Sequence, residues 1–210
     1  IEAKKVVPGN SRKNIYDLVK KCSLSEEDEF KLMRYIQKKN RIFISTPFSR
    51  KAVDRLVKFK VPAFKIGSGE CNNLPLVRHI ASKGKPVILS TGMNSIASIK
   101  RTVKILEQSG IDYALLECTN MYPSPPENVS LRGIIELKET FPNAIIGFSD
   151  HSIGPSMAIA ALGLGASIIE RHFTDTRYRF GPDISCSMDP AELRYLSDSS
   201  KEIHTALTNP

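Results

Sequence analysis

Residues 144–174 read AIIGFSDHSIGPSMAIAALGLGASIIERHFT, and this stretch decides the fold. Two apolar runs, 144–148 and 166–169, have the length and composition of short buried strands. Between them, Pro155 suits the first turn of a helix, and an apolar helical face and two glycines follow it. The pattern predicts two parallel strands joined by a helix.

A histidine follows each of these two strands, His151 the first and His172 the second. A right-handed crossover brings the C-terminal ends of parallel strands to the same edge of a sheet, so we expect both imidazoles to face one pocket. A lone histidine at a strand end is more often a structural residue. The paired placement, with Asp150 and Glu170 beside the histidines, favours a divalent metal site that keeps open positions for water or substrate.

The same pattern repeats along the earlier chain. Four further apolar runs are each followed by small polar residues and then by an amphipathic helix, at 42–44, 63–66, 86–89 and 113–116. Six strand-helix units predict an all-parallel α/β fold, either a barrel or a doubly wound sheet. Polar groups follow nearly every strand, which favours a TIM (β/α)₈ barrel, because a doubly wound sheet gathers its site at one switch point. A barrel needs eight strands, so we expect residues 1–210 to form a partial TIM-barrel catalytic domain.

Composition narrows the class of protein. Hydrophobic residues make up 41% of the 210 residues, enough for a sizeable core. The formal charge is +8, but lysine and arginine are scattered in runs of at most two, so we expect a solvated basic surface and no nucleic-acid partner. No apolar run is long enough to cross a membrane, and no signal peptide is visible, which predicts a cytoplasmic protein. The four cysteines are widely spaced and are expected to be free thiols.

Five ordered motifs carry a resemblance to a known family. They are FKIGSGE at 64–70, LSTGM at 89–93, GFSDH at 147–151, ERHFT at 170–174 and GPD at 181–183. With them the chain resembles the sialic acid synthase family, and is similar in particular to bacterial N-acetylneuraminate synthases, from about Glu2 to at least Met188. The family has a TIM barrel followed by a small antifreeze-like domain and works as a swapped homodimer. The resemblance implies that the first two barrel strands and the C-terminal domain lie outside this chain.

The resemblance also implies a reaction and a set of site residues. The family condenses phosphoenolpyruvate with N-acetylmannosamine and releases phosphate, using Mn²⁺ or Mg²⁺ held by the two histidines, here His151 and His172. Its catalytic residues correspond to these histidines, Lys65 and Glu70. Its phosphoenolpyruvate-binding residues fall on Thr46, Lys65, Ser68, Ser90, Asn120 and Ser149, and its sugar-binding residues on Glu70, Tyr122 and Asp183. The family's acidic residue on the first strand and a lysine on the second have no counterpart here, so we expect the 210-residue chain alone to be inactive or nearly so.

The residue types agree with this chemistry independently. Phosphoenolpyruvate carries a carboxylate and a phosphate, so its pocket should contain a lysine and several hydroxyl or amide donors. Lys65 lies in an apolar strand, and a lysine buried there requires an anionic partner unless it reaches solvent at the barrel end. For Glu70 and Asp183 the alternative is a solvated carboxylate, and Tyr122 can equally pack under the nearby proline loop.

Three other functions stay open. A legionaminic, pseudaminic or spore-coat polysaccharide synthase would share every motif and differ in its sugar. A metal-dependent aldolase would take pyruvate and release no phosphate. A barrel that only binds carbohydrate would show no metal dependence, and it would leave His151, His172 and Lys65 without a joint purpose.

Overall fold

The computed structural model describes residues 4–7 and 13–209. The chain divides into two compact units, 1–43 and 44–210. The first unit contains the helices α1 (Ile15–Cys22) and α2 (Glu26–Lys38). Asn14 and Ser25 begin them, each accepting a hydrogen bond from a backbone N–H of the first turn, as N-cap residues do.

The second unit is a parallel sheet with helices between its strands. The strands are β1 (Phe64–Ile66), β2 (Val87–Ser90), β3 (Tyr113–Cys118), β4 (Ile145–Asp150) and β5 (Ile168–Arg171). The helices are α3 (Arg50–Lys58), α4 (Leu74–Ala81), α5 (Ile96–Gln108), α6 (Arg132–Thr140), α7 (Ser156–Gly163) and α8 (Pro190–Thr208). The order β1-β2-β3-β4-β5 is the order of the sequence, and every neighbouring pair is parallel. This confirms the predicted α/β class.

The prediction of a strand at residues 42–44 is wrong. The segment has no strand conformation, and the sheet has five strands where the sequence pattern predicted six. A single long backbone hydrogen bond, from Lys65 N to Ser45 O at 3.4 Å, approaches β1 from this side. One such bond does not make a ladder, and Ile44 is more than one-third exposed, so the apolar run does not have the burial of a sheet interior.

The sheet curls strongly, as a barrel requires. Lys65 lies on β1 and Glu170 on β5, the two edge strands of the sheet. Adjacent strands are about 4.8 Å apart, so a flat sheet would hold these edges about 19 Å apart. The Lys65 ammonium nevertheless lies 3.4 Å from the Glu170 carboxylate. The five strands therefore form an open half-barrel whose concave face carries both side chains.

The hydrophobic core lies on the other, convex face of the sheet. In β1 the side chains of Phe64 and Ile66 are fully buried and point away from Lys65, because successive strand residues face opposite sides. Helix residues supply the rest of this layer, including Val53, Leu56, Leu76, Ile80, Leu106, Ile134 and Leu137. Among the described residues, no helix has the length and apolar composition that crossing a bilayer requires.

Candidate active site

A buried lysine organises the concave face. Lys65 is only 8% exposed, and its Nζ donates to the Ser90 hydroxyl at 2.7 Å and to the Ile66 carbonyl at 3.1 Å. One Glu170 oxygen lies 3.4 Å from this Nζ, and the other accepts a hydrogen bond from Ser149 at 3.0 Å. The network joins four strands, β1, β2, β4 and β5, across the concave face.

The charge of this lysine depends on its surroundings. Burial lowers the pKa of the Lys65 ammonium, and the carboxylate of Glu170 acts in the opposite direction. The sequence predicted that a lysine buried in an apolar strand needs an anionic partner, and the structure supplies Glu170. The arrangement holds a cation next to the Ser90 hydroxyl and the Glu170 carboxylate, and Ser149 donates to the other oxygen of that carboxylate.

Ser68, Cys118 and Asn120 extend this polar surface. The Ser68 hydroxyl is buried, and it finds no hydrogen-bond partner within the part of the chain that the structure describes. A buried hydroxyl without a partner is costly, so it is suited to a ligand that completes it. Cys118 donates to the Asn120 amide oxygen at 3.4 Å. Burial raises the pKa of the Cys118 thiol, and the nearby hydroxyls of Ser68 and Ser149 act against this rise.

The two predicted metal ligands lie together. His151 directly follows β4 and His172 directly follows β5, and their ring centroids are 5.4 Å apart. The Nδ1 of His151 lies 2.8 Å from the Thr119 carbonyl oxygen, which can only accept, so Nδ1 carries the proton and Nε2 keeps its lone pair. Burial lowers the pKa of His151, and the neighbouring His172 acts in the same direction. Both effects favour the neutral imidazole that a metal ion requires.

Two of the predicted sugar-binding residues lie beside these histidines. The Tyr122 ring is 4.0 Å from the His151 ring and 5.7 Å from the His172 ring, measured between centroids. A carboxylate oxygen of Asp183 is 4.0 Å from His172 Nδ1. Burial raises the pKa of Tyr122, so its hydroxyl stays protonated and can donate. The structure thus brings Tyr122, Asp183 and both histidines into one cluster.

For Glu70 and Thr46, the structure shows no contact with the histidine cluster or with Lys65 among the residues it describes. Glu70 ends a short 3₁₀ turn after β1, and its carboxylate accepts a hydrogen bond from the Asn73 side chain at 2.7 Å. Asn73 in turn begins α4, so Glu70 supports the start of that helix. Thr46 is half-buried in the segment that precedes α3. The roles of Glu70 and Thr46 in the site stay predictions from the family resemblance.

The residues that are present fit a divalent metal ion. Each metal–nitrogen bond is about 2.1 Å long, and two rings 5.4 Å apart are close enough to share one ion. Within the described ranges, no three His, Cys, Asp or Glu side chains surround one point as a closed metal site would need. Two imidazoles with Asp183 near one of them form an open set of donors, with room for water and substrate oxygen.

Sequence reasoning missed the central role of Glu170 and Cys118. The sequence places Glu170 near a histidine and predicts a free thiol at Cys118, without a contact for either residue. The register of the sheet contained the missing information: Ser149 pairs with Glu170, and Cys118 pairs with Ser149, so all three meet in one cross-strand row. The sequence alone predicts the strands but not this alignment.

Comparisons with known proteins show the family of the chain. The sequence matches the NeuB family over residues 2–210. An uncharacterised protein of Methanocaldococcus jannaschii is 42% identical over 199 residues, 94% of this chain and 59% of that protein. The N-acetylneuraminate-9-phosphate synthase of Homo sapiens is 37% identical over 186 residues, 89% of this chain and 52% of that protein. The N,N'-diacetyllegionaminic acid synthase of Campylobacter jejuni is 37% identical over 193 residues, 90% of this chain and 58% of that protein.

A solved structure shows the same fold. The N-acetylneuraminic acid (sialic acid) synthetase of Leptospira borgpetersenii superposes with a TM-score of 0.90 at 33% identity, covering 93% of this chain and 68% of that one. This likeness confirms the predicted TIM-barrel type of fold. The chain spans between 52% and 59% of the length of the three relatives above. The resemblance that the five motifs indicated is confirmed, and the chain belongs to the NeuB family.

Proposed function

We propose that the whole protein condenses phosphoenolpyruvate with N-acetylmannosamine and water to give N-acetylneuraminate and phosphate, with Mn²⁺ or Mg²⁺ as the metal. The observation that carries this proposal is the buried Lys65 on the concave face, whose Nζ donates to the Ser90 hydroxyl and lies 3.4 Å from Glu170, a residue of the strand that His172 directly follows. A buried cation with several hydroxyl donors suits a small dianionic or trianionic substrate.

Phosphoenolpyruvate binds on the side of Lys65. The ammonium offers charge-assisted hydrogen bonds to the carboxylate or phosphate, and Ser90 offers its hydroxyl beside it. Ser149, which donates to Glu170 in the structure, turns its hydroxyl to the bound anion. The buried Ser68 hydroxyl lies by the Cys118 thiol, a weak hydrogen-bonding group, and it gains a stronger hydrogen bond when a ligand is present. In the same proposal Asn120 and Thr46 contribute further polar contacts.

The sugar binds on the side of the histidines. His151 and His172 hold the metal, with His151 presenting Nε2 because its Nδ1 is engaged with Thr119. A divalent ion held there would supply a Lewis acid for the aldehyde oxygen of the open-chain sugar, whose carbon would then be electrophilic. Tyr122 packs against the imidazoles, and Asp183 orients a sugar hydroxyl, with Glu70 as a further sugar contact.

This chain contributes orientation and charge to the reaction. C3 of phosphoenolpyruvate attacks the aldehyde carbon, the π electrons of its double bond form the new carbon–carbon bond, and C2 becomes cationic. The π electrons of the aldehyde C=O bond move to its oxygen, which takes the proton that water loses as it adds to C2. The resulting tetrahedral centre expels phosphate by cleavage of its C–O bond, and the C2 hydroxyl passes its proton to the phosphate as the ketone forms. Lys65 holds the phosphoenolpyruvate anion at a fixed distance from the sugar, so the attack takes place within one bound complex.

Phosphate release tests the proposal. The full-length protein is incubated with phosphoenolpyruvate and N-acetylmannosamine, with Mn²⁺ and then with a chelator. Release that requires both the sugar and the metal is the expected result. Pyruvate in place of phosphoenolpyruvate should give no product, and product formation from pyruvate would show the aldolase instead. No phosphate from any N-acetylated hexose would overturn the proposal.

The sugar is decided by a panel of substrates in the same assay. The relatives are named for different products, an N-acetylneuraminate 9-phosphate in one case and a diacetylated legionaminic acid in another. N-acetylmannosamine, its 6-phosphate and the diacetylated precursor of legionaminic acid are therefore compared by kcat/KM. The largest value identifies the sugar, and the shared phosphoenolpyruvate chemistry stands in each case.

A further inference from the structure

A buried ion pair lies at the ends of the two strands that lead to the candidate metal ligands. Asp150 and Arg171 are register partners on β4 and β5, and each directly precedes one of the histidines. Their side chains are only 0% and 1% exposed, and the Arg171 guanidinium lies 3.4 Å from the Asp150 carboxylate. Strand residues alternate between faces, so the pair points away from the row formed by Ser149 and Glu170.

The guanidinium of Arg171 also fixes the segments around the site. It donates to the carbonyls of Ser152 and Gly154, which follow His151, and to the Cys186 carbonyl at 3.4 Å. Cys186 belongs to the turn that follows Asp183. One side chain thus connects the loop after His151, the end of β5 before His172, and the segment that carries Asp183.

The Asp150 carboxylate completes this connection. One of its oxygens accepts a hydrogen bond from the Ser152 backbone N–H at 2.8 Å, which closes the turn around His151. The other oxygen and the Nε of Arg171 have no hydrogen-bond partner within the residues that the structure describes. A buried pair with unsatisfied atoms is a poor source of stability, since apolar residues of similar volume often serve as well. Its geometry therefore requires another explanation.

We propose that Asp150 and Arg171 are positioning residues that set the spacing and orientation of the His151 and His172 imidazoles. The inference rests on the metal site of the proposed function and adds the device that holds its ligands. A slip of one residue between β4 and β5 would turn one histidine to the wrong face, and the ion pair at the strand ends opposes that slip. Groups that orient metal ligands without touching the metal typically change metal affinity by about 10–100-fold when removed.

The test uses a neutral double variant, Asp150→Asn with Arg171→Met, in the full-length protein. Asparagine keeps the acceptor for the Ser152 N–H, and removal of both charges leaves no uncompensated buried ion. Arg179→Met with Asp175→Asn is the matched control, because this pair makes the same kind of contact but is mostly exposed. Mn²⁺ affinity is measured by the electron paramagnetic resonance signal of the free ion. We expect about 10–100-fold weaker Mn²⁺ binding in the buried variant and wild-type binding in the control.

A second readout needs no metal. The ¹⁵N resonances of the histidine rings are recorded in the metal-free protein, with His79 and His204 as internal references. The positioning role predicts shifts for His151 and His172 in the buried variant and none for the two references. If the double variant does not fold, Asp150→Asn alone is judged by both readouts.

The outcomes separate this inference from the proposed function. Weaker Mn²⁺ binding with shifted His151 and His172 resonances supports positioning. Mn²⁺ binding within twofold of wild type, or an equal loss in the control, overturns it. If the wild-type protein binds no Mn²⁺, the metal site of the proposed function fails, and the ring resonances alone decide: shifted signals support the positioning role, and unchanged signals overturn it.

Discussion

Two glutamates on neighbouring parts of the same sheet have opposite surroundings. Glu170, on the concave face, lies between an ammonium and a hydroxyl, those of Lys65 and Ser149. Glu117, on β3, faces the convex side, where its carboxyl group lies against Gly133 of α6 and near Glu136. A Cβ atom on Gly133 would come within 2.5 Å of this carboxyl carbon, so the contact depends on glycine.

The surroundings give the two glutamates different chemistry. Glu117 lines a cavity of about 340 Å³ between α5 and α6, which we call the outer cavity. Among the described residues, its wall includes Glu136 but no lysine or arginine. Burial, and then the charge of Glu136, raise the pKa of Glu117 to about 7. Glu170 instead keeps a buried cation in place on the concave face. The comparison shows that the charge partner, more than the residue type or its place at a strand end, separates a candidate substrate site from a structural pocket.

The largest expected effect comes from the histidines that are proposed to hold the metal ion. In His172→Ala, kcat for phosphate release should fall by at least about 10³-fold, since Lewis-acid polarisation contributes several kcal/mol to such reactions. Bound Mn²⁺ should be lost in parallel. His204→Ala, on the exposed side of α8, is the control and should keep both activity and metal. Full activity in His172→Ala would remove the metal from the mechanism.

The substitution Lys65→Met should leave Glu170 without its cation, so that the concave face, like the outer cavity, contains a carboxylate with no positive charge beside it. The substitution leaves Glu170 beside the incoming phosphoenolpyruvate, so the substrate loses a charge-assisted contact and meets a repulsive one. We expect kcat/KM for phosphoenolpyruvate to fall by about 10²–10³-fold, or about 3–4 kcal/mol, mainly through KM. Lys201→Met, an exposed lysine on α8, is the matched control. A KM for phosphoenolpyruvate within twofold of wild type would show that Lys65 does not bind this anion.

The contrast also explains how much the sequence could predict. Apolar runs located all five strands and the six α-helices that follow the predicted strands, α3 to α8, because periodicity is a local property. The histidine pair followed from the topology of parallel strands. The partners of Glu170 and Glu117 did not follow, because they depend on which strands curl towards each other and which helix covers a strand. The wrong prediction of a strand at 42–44 has the same cause. An apolar run indicates a preference for strand conformation, but a strand also needs a neighbouring strand to form hydrogen bonds with.

The raised pKa of Glu117 in the outer cavity predicts that the free energy of unfolding depends on pH. The pKa of Glu117 is about 7 in the folded chain, above the ordinary value of 4.5, so the folded state holds the proton more tightly. The resulting stabilisation is fully present below about pH 4.5 and is lost as the pH rises through 7. Between pH 5 and pH 8, wild type should lose about 2 kcal/mol of unfolding free energy that Glu117→Gln does not lose.

Urea unfolding of both proteins at the two pH values measures this difference. Glu139→Gln, on the exposed side of α6, is the control and should keep the wild-type pH dependence. Parallel pH profiles for wild type and Glu117→Gln would mean that the carboxyl group is solvated and that the two glutamates are less different than their contacts indicate.

The smallest expected effect is that of a substitution at Gly92, which lies between the outer cavity and the polar residues of the concave face. Gly92 lines the outer cavity, and a Cβ atom there would lie 1.9 Å from the Asn120 side-chain oxygen and 2.6 Å from the Cys118 carbonyl. The backbone carbonyl cannot move cheaply, so Gly92→Ala should cost roughly 1–2 kcal/mol of unfolding free energy. The variant should also displace Asn120 and raise KM for phosphoenolpyruvate several-fold.

The matched control for this substitution is Gly163→Ala at the end of α7, where an added Cβ meets no atom within 4 Å. It should leave KM unchanged and alter stability little, since alanine is the better helix former. An unchanged KM in Gly92→Ala together with lost stability would mean that Asn120 does not contact phosphoenolpyruvate. The convex and concave faces would then be coupled only through folding, and the phosphoenolpyruvate site would be centred on Lys65, Ser90 and Ser149.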